Sequence, residues 1–91
     1  MSYEWDERKR LVNLEKHGLD FFDVDVVFES SHVVVPSAHD SEERFLAIGI
    51  FEGRFVTVVY TMRGRIIRVI SFRRARHEER DAYQKLYGGR A

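Results

Sequence analysis

The stretch FLAIGIFEGRFVTVVYTMRGRIIRVISFRR, residues 45–74, decides the fold. Phe45–Phe51 and Phe55–Thr61 are rich in β-branched and aromatic residues, which suit a pleated, half-buried surface. Glu52-Gly53-Arg54 separates them, a hairpin signal, because glycine accepts the positive φ that tight turns demand. Met62-Arg63-Gly64-Arg65 is a second glycine-bearing turn, and Ile66–Arg73 is another β-rich run. Consecutive strands joined in this way form an antiparallel meander. On the last strand, strict alternation places Ile66, Arg68, Ile70 and Phe72 on one face, and Ile67, Val69, Ser71 and Arg73 on the other.

The flanking segments read mainly as helices. Asp6 is a candidate N-cap, with Glu7 in the first turn, Lys16 and His17 in the last, and Gly18 at the left-handed stop position. Leu11 and Leu14, with Val12 at the margin, form its narrow apolar stripe, and Tyr3–Trp5 before it reads as extended. Asp20–Phe28 fits helical spacing through Phe21, Val24 and Phe28, and strand alternation through Phe22, Val24 and Val26. Asp20, with Asp23 three residues on, favours the helix. His32–Val35 looks extended and is expected to stop at Pro36, leaving Ser37–Glu43 as a polar loop. Residues 76–87 form a helix with Ala82, Tyr83 and Leu86 on one side and an Asp81–Lys85 pair outside, ended by Gly88-Gly89. The expected class is α+β, with N-terminal helices and a C-terminal helix packed on one face of an antiparallel sheet.

Length and composition bound the function. Ninety-one residues without a linker or repeat are expected to form one continuous domain, 1–91, and 44% apolar content is enough for its core. The formal charge is zero, but it is unevenly spread. Residues 1–53 hold five bases and twelve acids, and residues 54–91 hold ten bases and three acids. Arginine outnumbers lysine twelve to three, and its planar fork matches phosphate oxygens. The chain has no cysteine, so thiolate metal sites and cysteine nucleophiles are excluded. The opening residues lack the apolar core of a signal peptide. The longest uncharged run, Phe55–Met62, falls far short of the ~20 residues that span a bilayer. No membrane association and a cytoplasmic location are expected.

Arg63, Arg65, Arg68, Arg73, Arg74 and Arg76 follow one another with no intervening acid. They suit an extended anion, with Tyr60 and Phe72 in reach to stack an unpaired base. The same charges also suit a solvated edge that discourages strand pairing. The four histidines lack metal-ligand spacing, Ser71 has no nucleophile-elbow context, and the glycines form no phosphate loop.

Trp5-Asp6, Lys9, Asn13, Lys16-His17-Gly18 and Phe21 together resemble the opening of the BrnT toxins. Glu43-Arg44, Gly49, Val59-Tyr60-Thr61, the run from Arg68 to Ala75, Glu79-Arg80 and Tyr83 continue the resemblance. It implies a RelE-like fold, with Asp20–Phe28 as helix, and a type II toxin that cleaves RNA without metal or other cofactor. It also implies a BrnA antitoxin with a ribbon-helix-helix part, a 2:2 heterotetramer, and operator DNA bound only through that antitoxin. For such chemistry, Arg68, Arg73 and Arg74 are assigned to phosphate binding and transition-state stabilisation, and His17 to proton transfer. Lys16, Arg44, Tyr60, Arg63 and Arg65 are assigned to RNA contacts. The helix geometry by itself favours His17 as a helix C-terminal cation, and Trp5 suits either positioning a base or the core. A non-catalytic co-repressor docking an acidic partner, and a gyrase inhibitor on the same fold, are the competing classes.

Overall fold

A computed structural model of the chain describes residues 1–39 and 42–88. The two expected hairpins form. β3 (Glu42–Phe51), β4 (Arg54–Arg63) and β5 (Ile66–Arg74) are antiparallel, and Gly53 and Gly64 sit in their turns with φ of 78° and 61°. β2 (Val33–His39) adds to β3, and β1 (Ser2–Glu4) runs parallel to β5, giving a five-stranded sheet in the order β1-β5-β4-β3-β2. Pro36 does not end β2 as expected. It pairs with Phe45 inside an edge strand, where a missing N–H can face outward without breaking a ladder. The polar loop is correspondingly shorter, and Asp40 and Ser41 lie outside the described residues.

Helix α1 (Glu7–His17) starts at Asp6, whose carboxylate accepts the Arg8 N–H at 2.9 Å, and ends at Gly18 with φ 70°. Gly18 N–H returns to the Leu14 carbonyl at 2.8 Å. Asp20–Phe28 is helical, as a single 3₁₀ turn (Phe21–Asp23) running into α2 (Val24–Glu29), with Asp20 capping Phe22 N–H at 3.0 Å. α3 (His77–Tyr87) follows β5. No helix of the described residues is long and apolar enough to cross a membrane.

The helices do not share one face of the sheet. Phe21, Val24, Val27 and Phe28 pack over Ala47, Val56, Val58, Tyr60, Ile67, Val69 and Phe72 to make the main core. Gly49 permits the close approach of α2, since a Cβ there would lie 3.2 Å from Val27 Cγ1. α3 covers the opposite face, where Ile48 and Thr57 are buried and Phe55 stacks edge-on against Tyr83 at 5.6 Å. Leu86, expected on the packed side of α3, is exposed, and His77 rather than Lys85 approaches Asp81, at 3.4 Å.

Two departures from simple periodicity set the site. Val59 pairs with Ser71 but Tyr60 pairs with Val69, so Ile70 is an extra residue bulging from β5. The bulge shifts the phase of the strand. Ile67, Val69 and Phe72 all face the main core, while Arg68, Ser71 and Arg73 all face away from it. Arg68 and Arg73, expected on opposite faces, therefore share one.

The second departure is α1, which does not bury its apolar stripe: Leu11 and Val12 are 52% and 62% exposed. Its buried residue is Asn13. The Asn13 amide donates to the Phe72 carbonyl at 2.8 Å and accepts the Phe72 N–H at 3.2 Å, replacing a neighbouring strand where β1 has ended. A further bond from Asn13 Nδ2 to the Leu19 carbonyl, 3.0 Å, holds the turn after α1. Asn13→Ala leaves both Phe72 backbone groups without a partner and should cost about 2–4 kcal/mol. Urea unfolding at neutral pH checks this, read as a lower midpoint with unchanged slope.

Candidate active site

Because α1 has 3.6 residues per turn, Arg8, Val12 and Lys16 form one row and Lys9, Asn13 and His17 form the next. Asn13 anchors the second row to β5, so both rows face the bulge. They line an open groove of about 280 Å³ whose other wall is Ile70 and Ser71. Ser71 Oγ approaches Asn13 Oδ1 at 3.4 Å. The groove thus brings together three cations, Arg8, Lys9 and Lys16, with one imidazole, His17, and no carboxylate. Burial, with the charges of Lys16 and Arg73, holds His17 below its ordinary pKa. At neutral pH His17 is uncharged and able to accept a proton.

The arginines of β5 are placed differently. Arg73 forms a two-pronged pair with Glu79 at 2.9 and 3.0 Å. Glu79 is itself buried, accepts the Thr57 hydroxyl and the Arg76 N–H, each at 2.8 Å, and fixes the start of α3. Burial alone would raise the Glu79 pKa, but these donors outweigh it and hold the carboxyl at about 2. Arg68 pairs with Glu4 of β1 at 3.0 Å, and Arg44 with Glu42 at 2.6 Å. Two arginines of the acid-free run are therefore paired with acids outside it, Arg68 with β1 and Arg73 with α3. Arg73 remains near enough to His17 to act on it by charge.

Residues 5–79 match the family described as "Ribonuclease toxin, BrnT, of type II toxin-antitoxin system". The chain belongs to the BrnT family. No individual curated protein matches it. As a BrnT-family member it is a ribonuclease toxin of a type II toxin–antitoxin system, with RNA as its target and an antitoxin as its partner.

Within this BrnT fold the residues assigned from sequence are not all brought together. His17 and Lys16 meet in the groove, with Arg73 beside them. Arg68 shares the face of Arg73, and Arg63 and Arg65 lie exposed at the far turn of β5. Ile66 and Arg73 are separated by roughly 20–25 Å of extended chain, so the two ends suit only a long ligand. Arg74 is exposed but points to the opposite face from Arg73, because it pairs with Val56. Tyr60 is 7% exposed, packed edge-on to Phe28 at 5.1 Å and tilted against Phe45 at 5.6 Å, so its ring lies in the core and away from the groove. Phe72 is fully buried for the same reason. Trp5 packs edge-on against Phe21 and Phe22 at 6.0 and 5.1 Å.

Sequence reasoning missed Arg8, Lys9, Asn13 and Ser71 as groove residues. For the helix the signal was present, since Lys9, Asn13 and His17 recur every four residues. For Ser71 it was not, because strict alternation gives no sign of the Ile70 bulge.

Proposed function

We propose that this toxin is a metal-independent endoribonuclease whose active site is the α1–β5 groove, and that it arrests translation and growth by cutting RNA. The observation that carries this reading is a neutral imidazole, His17, set among Arg8, Lys9 and Lys16 with no carboxylate in the groove. RNA carries its own nucleophile. His17 takes the proton of the 2′-hydroxyl, the oxygen attacks the adjacent phosphorus, and the P–O5′ bond breaks as the 5′-oxygen takes a proton from water, leaving a 2′,3′-cyclic phosphate. Lys9 and Lys16 bind the phosphate and balance the charge that grows on the phosphorane. Arg73 is a positioning residue in this scheme. Its guanidinium is fixed by Glu79, and its charge adds to burial and to Lys16 in holding His17 below its ordinary pKa. Arg63 and Arg65 extend the positive surface along the strands to the flanking phosphates, Arg68 and Arg44 join them by exchanging Glu4 and Glu42 for phosphate, and Arg74 is directed to the other face.

The antitoxin is proposed to be BrnA-like, to assemble with the toxin as a 2:2 complex, and to carry operator DNA binding and repression for both. Incubating the folded, antitoxin-free toxin with RNA in excess EDTA tests the catalytic proposal. Cleavage to products ending in 2′,3′-cyclic phosphate is expected. Intact RNA, or cleavage only on addition of a divalent metal, rejects it.

A further inference from the structure

Between the N-terminal segment and the Phe21–Glu29 helical segment lies a second cavity of about 390 Å³ with contrary chemistry. Its walls are apolar and aromatic, chiefly Tyr3, Trp5, Phe21 and Phe22, and its rim carries Asp25 and Glu29. No cation lines it. Asp25 accepts only the Val26 N–H, 3.0 Å, and neither Asp25 nor Glu29 has a cationic partner among the described residues. The surroundings reinforce the negative charge. Burial, together with the charges of Asp20, Asp25 and Glu52, raises the pKa of Asp23, and burial, Glu29 and Asp25 raise that of Tyr3. Phe22 and Val26 beside the cavity are 63% and 44% exposed, an unusual amount of apolar surface for the flank of a charged helix. Phe22 already shows how the patch treats a guanidinium: Arg10 lies over its ring with Cζ 4.8 Å from the centroid.

We propose that this cavity is a docking site for a protein partner, and that it receives an arginine side chain flanked by apolar residues from a basic segment of that partner. The aromatic walls accept the planar guanidinium and its methylene stem, Asp25 and Glu29 neutralise its charge, and Phe22 and Val26 cover the neighbouring apolar side chains. RNA is repelled by the same acids, so the site is separate from the groove in occupant as well as in position. Partner binding here leaves the groove residues chemically untouched.

Trp5, the chain's single tryptophan, lines the cavity and reports on it by fluorescence. Purified toxin is titrated with the peptide acetyl-Leu-Arg-Leu-Leu-Arg-Leu-amide and with its counterpart carrying Glu for Arg. The arginine peptide is expected to change Trp5 emission saturably, the glutamate peptide to leave it flat, and added salt to weaken the response. In the Asp25→Asn/Glu29→Gln double variant, binding should fall about tenfold, with RNA cleavage and the thermal unfolding midpoint unchanged. A flat titration with the arginine peptide, an equal response to both peptides, or undiminished binding in the folded double variant overturns the proposal. The RNA assay separates these outcomes from failure of the catalytic proposal.

Discussion

Replacing Glu79 by alanine is expected to destabilise the fold by about 3–5 kcal/mol, the range seen when one member of a buried ion pair is removed. The side chain is 7% exposed, and its two oxygens serve Arg73, Thr57 and the Arg76 N–H together. Truncation leaves the Arg73 guanidinium, itself 14% exposed, without its counter-ion, and frees the start of α3. The effect carries a pH signature. The Glu79 carboxyl is depressed from 4.5 to about 2, so the stabilisation is fully present above the unfolded-state value of 4.5 and is lost as pH falls towards 2. Guanidinium unfolding of wild type and Glu79→Ala should therefore differ by a wide, constant margin from pH 6 to 8 (about one pH unit either side of neutrality). The two curves should converge as pH falls from 4.5 towards 2, because over that range the unfolded chain's carboxyl takes up a proton and the folded one does not, by about 3 kcal/mol across the whole titration. A margin that stays constant down to about pH 2 would mean that the ionised pair contributes nothing.

Replacing His17 by glutamine is expected to lower RNA cleavage about 10²–10⁴-fold, the usual contribution of a positioned general base. The cost to stability should be small, within about 0.5 kcal/mol, since at neutral pH the group is an uncharged side chain with no charge–dipole interaction to lose. The pH dependence distinguishes catalysis from mere shape. The base must be neutral to act, so wild-type kcat/KM rises with pH through an apparent pKa below the ordinary 6.5 of histidine, in the direction that burial, Lys16 and Arg73 impose. That acid limb should vanish in His17→Gln. Single-turnover cleavage of a short RNA over this range supplies both readings. A variant with the wild-type rate, or one that keeps the acid limb, removes His17 from the reaction.

The fold was legible where one residue decides a local conformation. Asp6 and Gly18 mark the ends of α1, Gly53 and Gly64 mark the hairpins, and the ambiguous Asp20–Phe28 segment resolves to helix through the Asp20 cap. It was not legible where distant segments decide. Pro36 lies inside a strand because β2 is an edge, which is a property of sheet order and not of the local sequence. Leu11 and Val12 look like a core stripe, yet α1 turns Asn13 inward because Phe72 needs hydrogen-bond partners where β1 stops. The site shows the same division. Lys16 and His17 could be found because they are adjacent, while the pairing of Arg68 with Glu4 and of Arg73 with Glu79 joins residues that the sequence keeps apart.

The Ile70 bulge makes the site depend on residue count more than on residue type. Each position of β5 has only two orientations, and the extra residue reverses their order midway along the strand. Substituting Ile70 leaves that parity intact, whatever side chain is chosen. Deleting it, or inserting one residue beside it, turns Arg73 towards Phe51 and Val56 and pushes Phe72 into the position of the ion pair. A chain of this kind can exchange many side chains along β5 and still keep its groove, but it cannot change the length of that strand by one.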